Sequence, residues 1–267
     1  MPQASFLAAV FIALLGQDGA STALAADPCG AWESIAPMSV ERAEHGLVTL
    51  KDGRVLAVGG HTSQDPKTNT TSEVYDVNAD SWGALATLLE PRQESERPRL
   101  LRDDTVMLAG GHGGTCCDAL TQVDLYDPES GQWRPTGPMN HRRGEHAVVV
   151  LQSGDVLVVG GFDWGTETAP RPAEIYSIAS RTWKAVDEFP EPGLVNIAVL
   201  LPNGKVLVKG DMHSPRCFLF DPETETFSET GNLVAKRLRP TFNLLQDGRV
   251  LAAGGEIGSA ATRTAEI

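Results

Sequence analysis

The sequence contains a nine-residue segment, DGRVLAVGG at residues 52–60, that recurs four more times along the chain. The other copies are DDTVMLAGG, SGDVLVVGG, NGKVLVKGD and DGRVLAAGG, at residues 103–111, 153–161, 203–211 and 247–255. Their aligned valines, from Val55 to Val250, are separated by 51, 50, 50 and 44 residues. Self-similarity at this period indicates that one supersecondary unit is used repeatedly, so the chain is constrained to a repeat architecture.

Each copy has the pattern of two antiparallel strands joined by a tight turn. Asp-Gly, Ser-Gly and Asn-Gly pairs such as Asp52-Gly53 adopt positive φ readily, and they predict a two-residue hairpin turn. A nearly continuous apolar run precedes the turn, and a run rich in β-branched residues follows it. This pattern is typical of strands that are covered on both faces. The paired glycines that end the second strand indicate close approach of a neighbouring backbone.

A second pair of strands is predicted at a fixed distance after each copy. An aromatic residue recurs there, preceded in three copies by an acidic residue two positions earlier, at Tyr75, Tyr126, Tyr176 and Phe220. Another aromatic residue follows seven positions later, at Trp82, Trp133, Trp183 and Phe227. Each unit is therefore predicted to be a four-stranded antiparallel sheet. Repeated sheets with glycine and aromatic residues at fixed places are typical of an all-β fold, the β-propeller.

The glycine pair, the tyrosine after it and the tryptophan seven residues further on resemble the kelch repeat, which belongs to a superfamily with galactose oxidase-like proteins. The resemblance extends from about Trp32 to the last residue of the sequence. It implies a kelch-type β-propeller. Kelch propellers serve as binding platforms, as scaffolds and occasionally as enzymes, so the resemblance says more about fold than about function.

The two ends of the repeat predict how the fifth unit is completed. Trp32 precedes His45 by thirteen residues, the interval that also separates Trp133 from His146, so Trp32 is in phase as a fourth strand. The sequence ends in the third strand of the last unit. We therefore predict five four-stranded blades in which the N-terminal strand at Trp32 closes the last blade, an arrangement that removes open sheet edges. The alternative is a truncated six- or seven-bladed propeller.

The first 25 residues differ in composition from the repeats. Residues 6–15 are apolar, and Ala23, Leu24 and Ala25 form a small-residue cleavage pattern. This predicts a signal peptide over residues 1–25, cut after Ala25 or Ala26, followed by the propeller over residues 26–267. Because no Lys or Arg precedes Arg42, an uncleaved anchor is the alternative, although the apolar run is shorter than the about 20 residues of a membrane span. We expect a secreted or periplasmic protein with no stable membrane insertion after cleavage.

The formal net charge of −13 limits the possible partners. A strongly acidic chain does not match nucleic acid or anionic lipid electrostatically, so no nucleic-acid partner is expected. Solubility alone also explains such a charge. The chain has four cysteines, which allow disulfides in an exported protein, with free thiols as the alternative. They are Cys29, Cys116, Cys117 and Cys217, and their spacing does not decide the pairing.

Antiparallel connectivity distributes the loops of a blade between two faces. The turns between strands one and two, and between strands three and four, lie on one side, the turn face. The loops between strands two and three, and the links between blades, lie on the opposite side, the loop face. We expect the ligand on the loop face, because recognition residues are usually placed on loops of a rigid scaffold. The candidate ligand-binding residues are Arg42, His45, His61, His112, Arg143, His146, Trp164, His213 and Arg237.

Each kind of candidate also has a structural interpretation. Arg42, Arg143 and Arg237 share one aligned position, which suits bonds between neighbouring blades, whereas a ring of cationic and imidazole groups would suit a carboxylate or sugar acid. Three histidines in equivalent loops could bind a metal, but no short ligand spacing supports this, and no metal is predicted. Trp164 departs from the repeat. An aromatic side chain there would either stack on a sugar or peptide, or pack against a neighbouring loop.

No enzyme motif is evident in the sequence. It lacks a GxSxG elbow, a P-loop, HExxH and a paired-cysteine zinc pattern, and no cofactor is predicted. Copper radical oxidases resemble this fold but need tyrosine ligands at the propeller mouth, whereas the three tyrosines here occupy repeat positions. Exported kelch proteins also include sugar-acid mutarotases, for which Glu96, Glu256 and Arg143 would serve as acid/base and anchoring groups.

We predict an exported binding or interaction module for a protein or glycan ligand. A mutarotase-like enzyme acting on a sugar acid is the alternative.

Overall fold

The computed structural model describes residues 32–62, 70–92, 98–113, 118–191, 193–258 and 260–267. The chain divides into a short unit, Met1–Ile35, and a larger unit, Ala36–Ile267, which contains every strand of the described ranges. The regular secondary structure of these ranges is entirely β. Accordingly, they contain no helix that is long and apolar enough to cross a membrane. The predicted signal peptide lies outside the described residues.

The larger unit is built from successive antiparallel sheets, which we number as blades 1 to 5. Blade 1 contains β1 (Gly46–Thr49), β2 (Val55–Val58), β3 (Thr71–Asp76), β4 (Ser81–Trp82) and the short β5 (Ala86–Thr87), which also pairs with β3. Blade 2 contains β6 (Arg99–Leu100), β7 (Val106–Ala109), β8 (Val123–Asp127) and β9 (Gln132–Pro135). Blade 3 contains β10 (Ala147–Val150), β11 (Val156–Val159), β12 (Pro172–Ser177) and β13 (Thr182–Glu188).

The last two blades follow the same order. Blade 4 contains β14 (Ala198–Leu200), β15 (Val206–Lys209), β16 (Cys217–Asp221) and β17 (Thr226–Glu229). Blade 5 contains β18 (Thr241–Leu244), β19 (Val250–Ala253) and β22 (Ala265–Glu266), with a hairpin of β20 (Glu256–Ile257) and β21 (Ala260–Ala261) between the last two. The first strands of consecutive blades contact one another in the order β1, β6, β10, β14 and β18. The predicted all-β, five-bladed propeller is confirmed.

The predicted fourth strand of blade 5 differs from the structure. Residues 32–38 form no strand, and the side chain of Trp32 is fully exposed. Ala36, four residues after Trp32, bonds to blade 1: Ala36 N donates to Asp80 Oδ1 (3.1 Å), and Trp82 Nε1 donates to Ala36 O (2.9 Å). Trp183 Nε1 donates to Gly137 O (2.7 Å) in the same way. Ala36 therefore occupies the same position of its link as Gly137 does in the link to blade 3. Within the described residues, the main sheet of blade 5 has three strands.

The hydrophobic core lies between the blades. In blade 3, Leu157 and Val159 pack against blade 4, whereas Val156 and Val158 point to the opposite face and pack against blade 2. All four side chains are completely buried. Because successive side chains of a strand alternate between faces, burial on both faces requires a continuous apolar run. This explains the uninterrupted Val-Leu-Val-Val segment that the repeat contains.

The hairpin turns are one residue longer than predicted. Leu50 N donates to Arg54 O (2.8 Å), and Gly53 N donates to Leu50 O (3.0 Å), which leaves a three-residue loop. Only its last residue, Gly53, has positive φ (88°). Such loops combine a type I turn with a glycine bulge, so glycine is needed at one position rather than two. The paired glycines behave as predicted, since a Cβ on Gly161 would lie 2.7 Å from Gly144 O.

Candidate functional site

The loop face brings each link next to the loop between strands two and three of the same blade. Ala43 and His61 exchange two backbone hydrogen bonds of 2.9 Å in blade 1, and Gly144 and Phe162 do so in blade 3 (3.1 and 2.8 Å). This pairing fixes the position of both segments relative to the sheet. The candidate residues of one blade therefore lie on one face, grouped blade by blade.

The candidate arginines are buried and bonded within their own blades. Arg143 donates to Gly160 O (2.7 Å), to Pro172 O and to Glu174 Oε1 (3.1 Å), and neither side chain of the ion pair is exposed. Arg42 makes the equivalent bonds to Gly59 O, Thr71 O and Glu73, and Arg237 makes them to Gly254 O, Thr264 O and Glu266. The bonds join the two ends of the loop between strands two and three. In this structure the arginines hold the base of the loop face.

The carboxylates that pair with these arginines were not among the candidate residues. Glu174 Oε2 accepts hydrogen bonds from Asn140 N (2.6 Å) and Asn140 Nδ2 (2.7 Å) in addition to the Arg143 contact. Burial opposes ionisation of Glu174, but these hydrogen bonds and the Arg143 charge outweigh it and lower the pKa of Glu174. In the sequence, the acidic residue two positions before each aligned tyrosine could have identified these carboxylates.

The candidate histidines lie in different environments. His213 is exposed, and its backbone N–H donates to Asp211 Oδ1 (2.9 Å). His61 is partly exposed, 3.6 Å from Glu44 Oε2. His45 is partly buried, while His112 is buried, with Nε2 3.9 Å from Glu145 Oε1. Within the described ranges, no three His, Cys, Asp or Glu side chains are arranged to hold a metal ion.

His146 is enclosed between blades 2 and 3. Neither ring nitrogen has a hydrogen-bond partner among the described residues. Burial, reinforced by the positive charges of Arg143 and Arg99, lowers the pKa of His146 to about 3. His146 also lines a cavity of about 20 Å³ with Asn196 of blade 4, which is room for about one water molecule. A neutral, enclosed imidazole does not serve as a general acid or base near neutral pH.

Trp164 is held on the loop face of blade 3 with half of its side chain exposed (49%). Its indole Nε1 donates to Glu145 Oε1 (3.0 Å), and its ring packs against Phe162 with centroids 4.5 Å apart. Glu145 belongs to the link that enters blade 3, so link and loop together fix the indole. The sequence pointed to Trp164 as a departure from the repeat, but it did not point to Glu145. The arrangement leaves half of an oriented indole side chain exposed to solvent.

The residues considered for catalysis are not brought together. Glu96 lies outside the described residues, Glu256 belongs to blade 5, and Arg143 is fully bonded inside blade 3. The tyrosines lie within the blades, where Tyr75, Tyr126 and Tyr176 each pack on a tryptophan with centroids 5.2 Å apart. They do not reach the loop face, so they do not fit the ligand set that a copper oxidase needs.

Cys217 is the one cysteine within the described ranges, and its thiol is buried and free. Burial raises the pKa of Cys217 to about 11, so the thiol stays protonated and unreactive near neutral pH. Cys29, Cys116 and Cys117 lie outside the described residues, and their pairing stays a prediction.

These observations define a β-propeller that is built from repeats. The residues that recur hold each blade together, and Trp164, which does not recur, lies on the loop face. The family model described as Kelch motif matches residues 102–140, and this match supports a kelch-repeat family for the chain. It is 25% identical over 169 residues to Kelch-like protein 26 of Danio rerio, across 61% of this chain and 27% of that protein.

Two further similarities agree with this assignment. The chain is 25% identical over 270 residues to galactose oxidase of Gibberella zeae, across 90% of this chain and 40% of that protein. It therefore spans less than half the length of either curated relative. A solved structure of a fungal alcohol oxidase of the AA5 family in complex with copper matches with a TM-score of 0.66 and 20% identity, across 86% of this chain and 52% of that chain. At this identity the structural match shows a shared fold alone.

Proposed function

We propose that this kelch propeller is an exported interaction module that binds a protein partner at its loop face. Kelch propellers are commonly protein-interaction modules. The chain is similar to Kelch-like proteins over most of its length, 61% of the chain in one case. Arg143, His112 and His146 are buried and lack the exposure that acid–base chemistry on a sugar acid would need, which favours binding over mutarotation.

The observation that carries this proposal is the exposure of Trp164. In a repeat protein, residues that recur in every unit maintain the fold, and Trp164 does not recur. A half-exposed indole suits the centre of a binding surface, because tryptophan is enriched among the residues that contribute most to interfaces. Since Glu145 and Phe162 already fix the ring, binding would cost little side-chain entropy.

A photo-crosslinking experiment tests the binding face. A benzophenone amino acid replaces Glu167, exposed beside Trp164 on the loop face, or Glu129, exposed on the turn face. We expect a saturable protein adduct from position 167 in the extracytoplasmic fraction of the source cells, competed by unlabelled protein and lost when Trp164→Ser is added. Adducts that are equal from position 129, or unaffected by Trp164→Ser, contradict the proposal. An adduct removed by glycosidase rather than protease identifies a glycan as the ligand instead.

Export has its own test. The proposed signal peptide predicts a mature chain that begins at Ala26 or Asp27. N-terminal sequencing of the protein recovered outside the cytoplasm gives the answer directly. A chain that retains residues 1–25, or that is found only in the cytoplasm, contradicts export while leaving the interaction surface untouched.

A further inference from the structure

We propose that the Trp164 loop of blade 3 receives a positively charged side chain of the protein partner, arginine in particular. This inference rests on the proposed function, because it assigns the chemistry of the partner at the same face. It is carried by an indole ring and a set of carboxylates that the structure places around one loop.

The loop is rigid and presents the indole in one orientation. Asp163 and Thr168 exchange two backbone hydrogen bonds (2.8 and 3.1 Å), which close the loop at its base. The buried carboxylate of Asp163 accepts from Ala119 N (3.1 Å) and Gly165 N (3.1 Å), which ties the loop to blade 2 and to its own tip. With Phe162 against one side and Glu145 on the indole nitrogen, the uncovered part of the ring faces solvent.

The charges around the ring are mainly negative. The side chain of Glu145 is 27% exposed beside the indole nitrogen, and Glu167 is exposed at the end of the loop. Asp118 is also exposed, and its Oδ1 lies 2.0 Å from the position that a Cβ on Gly165 would take. A cation above an indole is attracted to the ring, and carboxylates beside it add charge-assisted hydrogen bonds. An acidic ligand would meet repulsion from the same groups.

One basic side chain of the chain itself, Arg142, lies near this loop. Arg142 is exposed, and its Nη1 donates to Ala119 O (2.8 Å), next to the backbone N–H that bonds to Asp163. Arginine is the better of the two basic side chains for this site, because its planar group both stacks on an aromatic ring and donates to carboxylates. The net charge of −13 favours the approach of a basic partner segment over longer range.

Blade 1 provides a matched control within the same chain. Glu44 and Glu145 occupy the same position of the link, and both have left-handed backbone, with φ of 54° and 49°. Both lie near a histidine, His61 for Glu44 and His112 for Glu145. The corresponding loop of blade 1, residues 61–70, contains no tryptophan in its sequence. If the role of Glu145 depends on the indole, a substitution of Glu145 should change binding and the same substitution of Glu44 should not.

The test is an NMR titration of the ¹⁵N-labelled full chain with acetyl-Gly-Arg-Gly-amide and with its uncharged citrulline isostere. The five tryptophans give separate indole N–H signals, and Trp164→Phe assigns the one that belongs to Trp164. We expect the arginine peptide to shift the Trp164 signal and the citrulline peptide to shift it far less. Glu145→Gln keeps an acceptor for the indole N–H, and it should weaken binding by up to about 5-fold, the range expected for the loss of one partly exposed ion pair. Glu44→Gln should leave the affinity unchanged.

Three outcomes overturn the inference: equal shifts with both peptides, no shift of the Trp164 signal, or equal effects of Glu145→Gln and Glu44→Gln. Unchanged amide spectra outside the loop show that each variant is folded. A crosslinked partner at position 167 combined with a failed arginine titration leaves the proposed function standing and removes only the assigned partner chemistry. An arginine response without any crosslinked partner contradicts the proposed function and leaves the cation site.

Discussion

Blades 3 and 4 solve the same structural problem with different residues. In blade 3, Arg143 enters from the link and bonds to carbonyl groups at both ends of the loop between strands two and three, with Glu174 as its buried partner. In blade 4 the aligned residues are Gly193 and Phe218, so both charges are missing. Lys209, at the end of β15, replaces them and donates to Asp211 O (2.9 Å), Ser214 O (3.1 Å) and Gly210 O (3.5 Å).

The comparison shows which property of the repeat position matters. Both blades place one buried cation against the carbonyl groups at the base of the loop, although the cation comes from the link in one blade and from a strand in the other. Buried carbonyl groups need donors, and either side chain supplies them. An arginine at position 193 would be strained, because Gly193 has a φ of 126°, a backbone conformation that residues with a Cβ rarely adopt. The recurring arginines are therefore explained by loop support rather than by ligand binding.

The largest expected effect that tests this comparison is that of Arg143→Ala. The change leaves the Glu174 carboxylate buried without its counter-charge and removes the donor to two carbonyl groups. We expect a loss of about 3–5 kcal/mol in the free energy of unfolding, measured by guanidinium denaturation. Arg142→Ala, at the exposed neighbour, should cost less than about 1 kcal/mol.

A double variant sharpens the same test. Arg143→Gly with Glu174→Phe gives blade 3 the residues of blade 4 at both positions. It should be less destabilising than Arg143→Ala alone, because no unpaired carboxylate remains in the interior. A double variant that is as unstable as the sum of its parts contradicts the view that the two positions act as a pair.

A smaller effect is expected from Lys209→Met in blade 4. Methionine keeps the apolar stem but removes the ammonium group, so three carbonyl groups lose a shared donor. We expect a loss of about 2–3 kcal/mol in the same denaturation measurement. Lys205→Met is the matched control, since Lys205 pairs with Asp221 at a partly exposed site where ion pairs contribute little. Equal losses from both variants would show that Lys209 is not the counterpart of Arg143.

The sequence was informative wherever a residue recurs. Aligned valines, glycine pairs and aromatic residues predicted the blade order, the strand pairs and the burial of both faces, because each feature reports a local periodicity. The five blades and the register of Val55 opposite Tyr75 follow directly from that spacing. Residues that depart from the repeat, such as Trp164, could also be recognised, because each copy can be compared with the aligned positions of the other copies.

The sequence was less informative about partners that are distant along the chain. Arg143 and Glu174 are separated by 31 residues, and nothing local to either residue shows that they are bonded. The anchoring of Trp164 by Glu145 is similar, since their side chains meet only when the link pairs with the loop. Repeat phase placed Trp32 in a strand, whereas residues 32–38 form no strand in the structure.

The smallest of the three effects depends on pH and concerns His146, which aligns with Asn196 in blade 4. Burial, with Arg143, Arg99 and Arg92 adding positive charge, lowers the pKa of His146 from 6.5 to about 3 in the folded state. The unfolded chain therefore binds more protons between these values, so the contribution of His146 to stability is intact above about pH 6.5 and is lost as pH falls toward 3. At pH 5 this loss amounts to about 2 kcal/mol, and His146→Asn should remove it, so that the variant is less sensitive to acid than the natural chain.

Denaturation midpoints at pH 7 and pH 5 measure the difference, and His213→Asn, at an exposed position, controls for loss of an imidazole as such. If the two histidine variants show the same pH dependence, His146 is not kept neutral by its surroundings, and blades 3 and 4 do not differ in this respect.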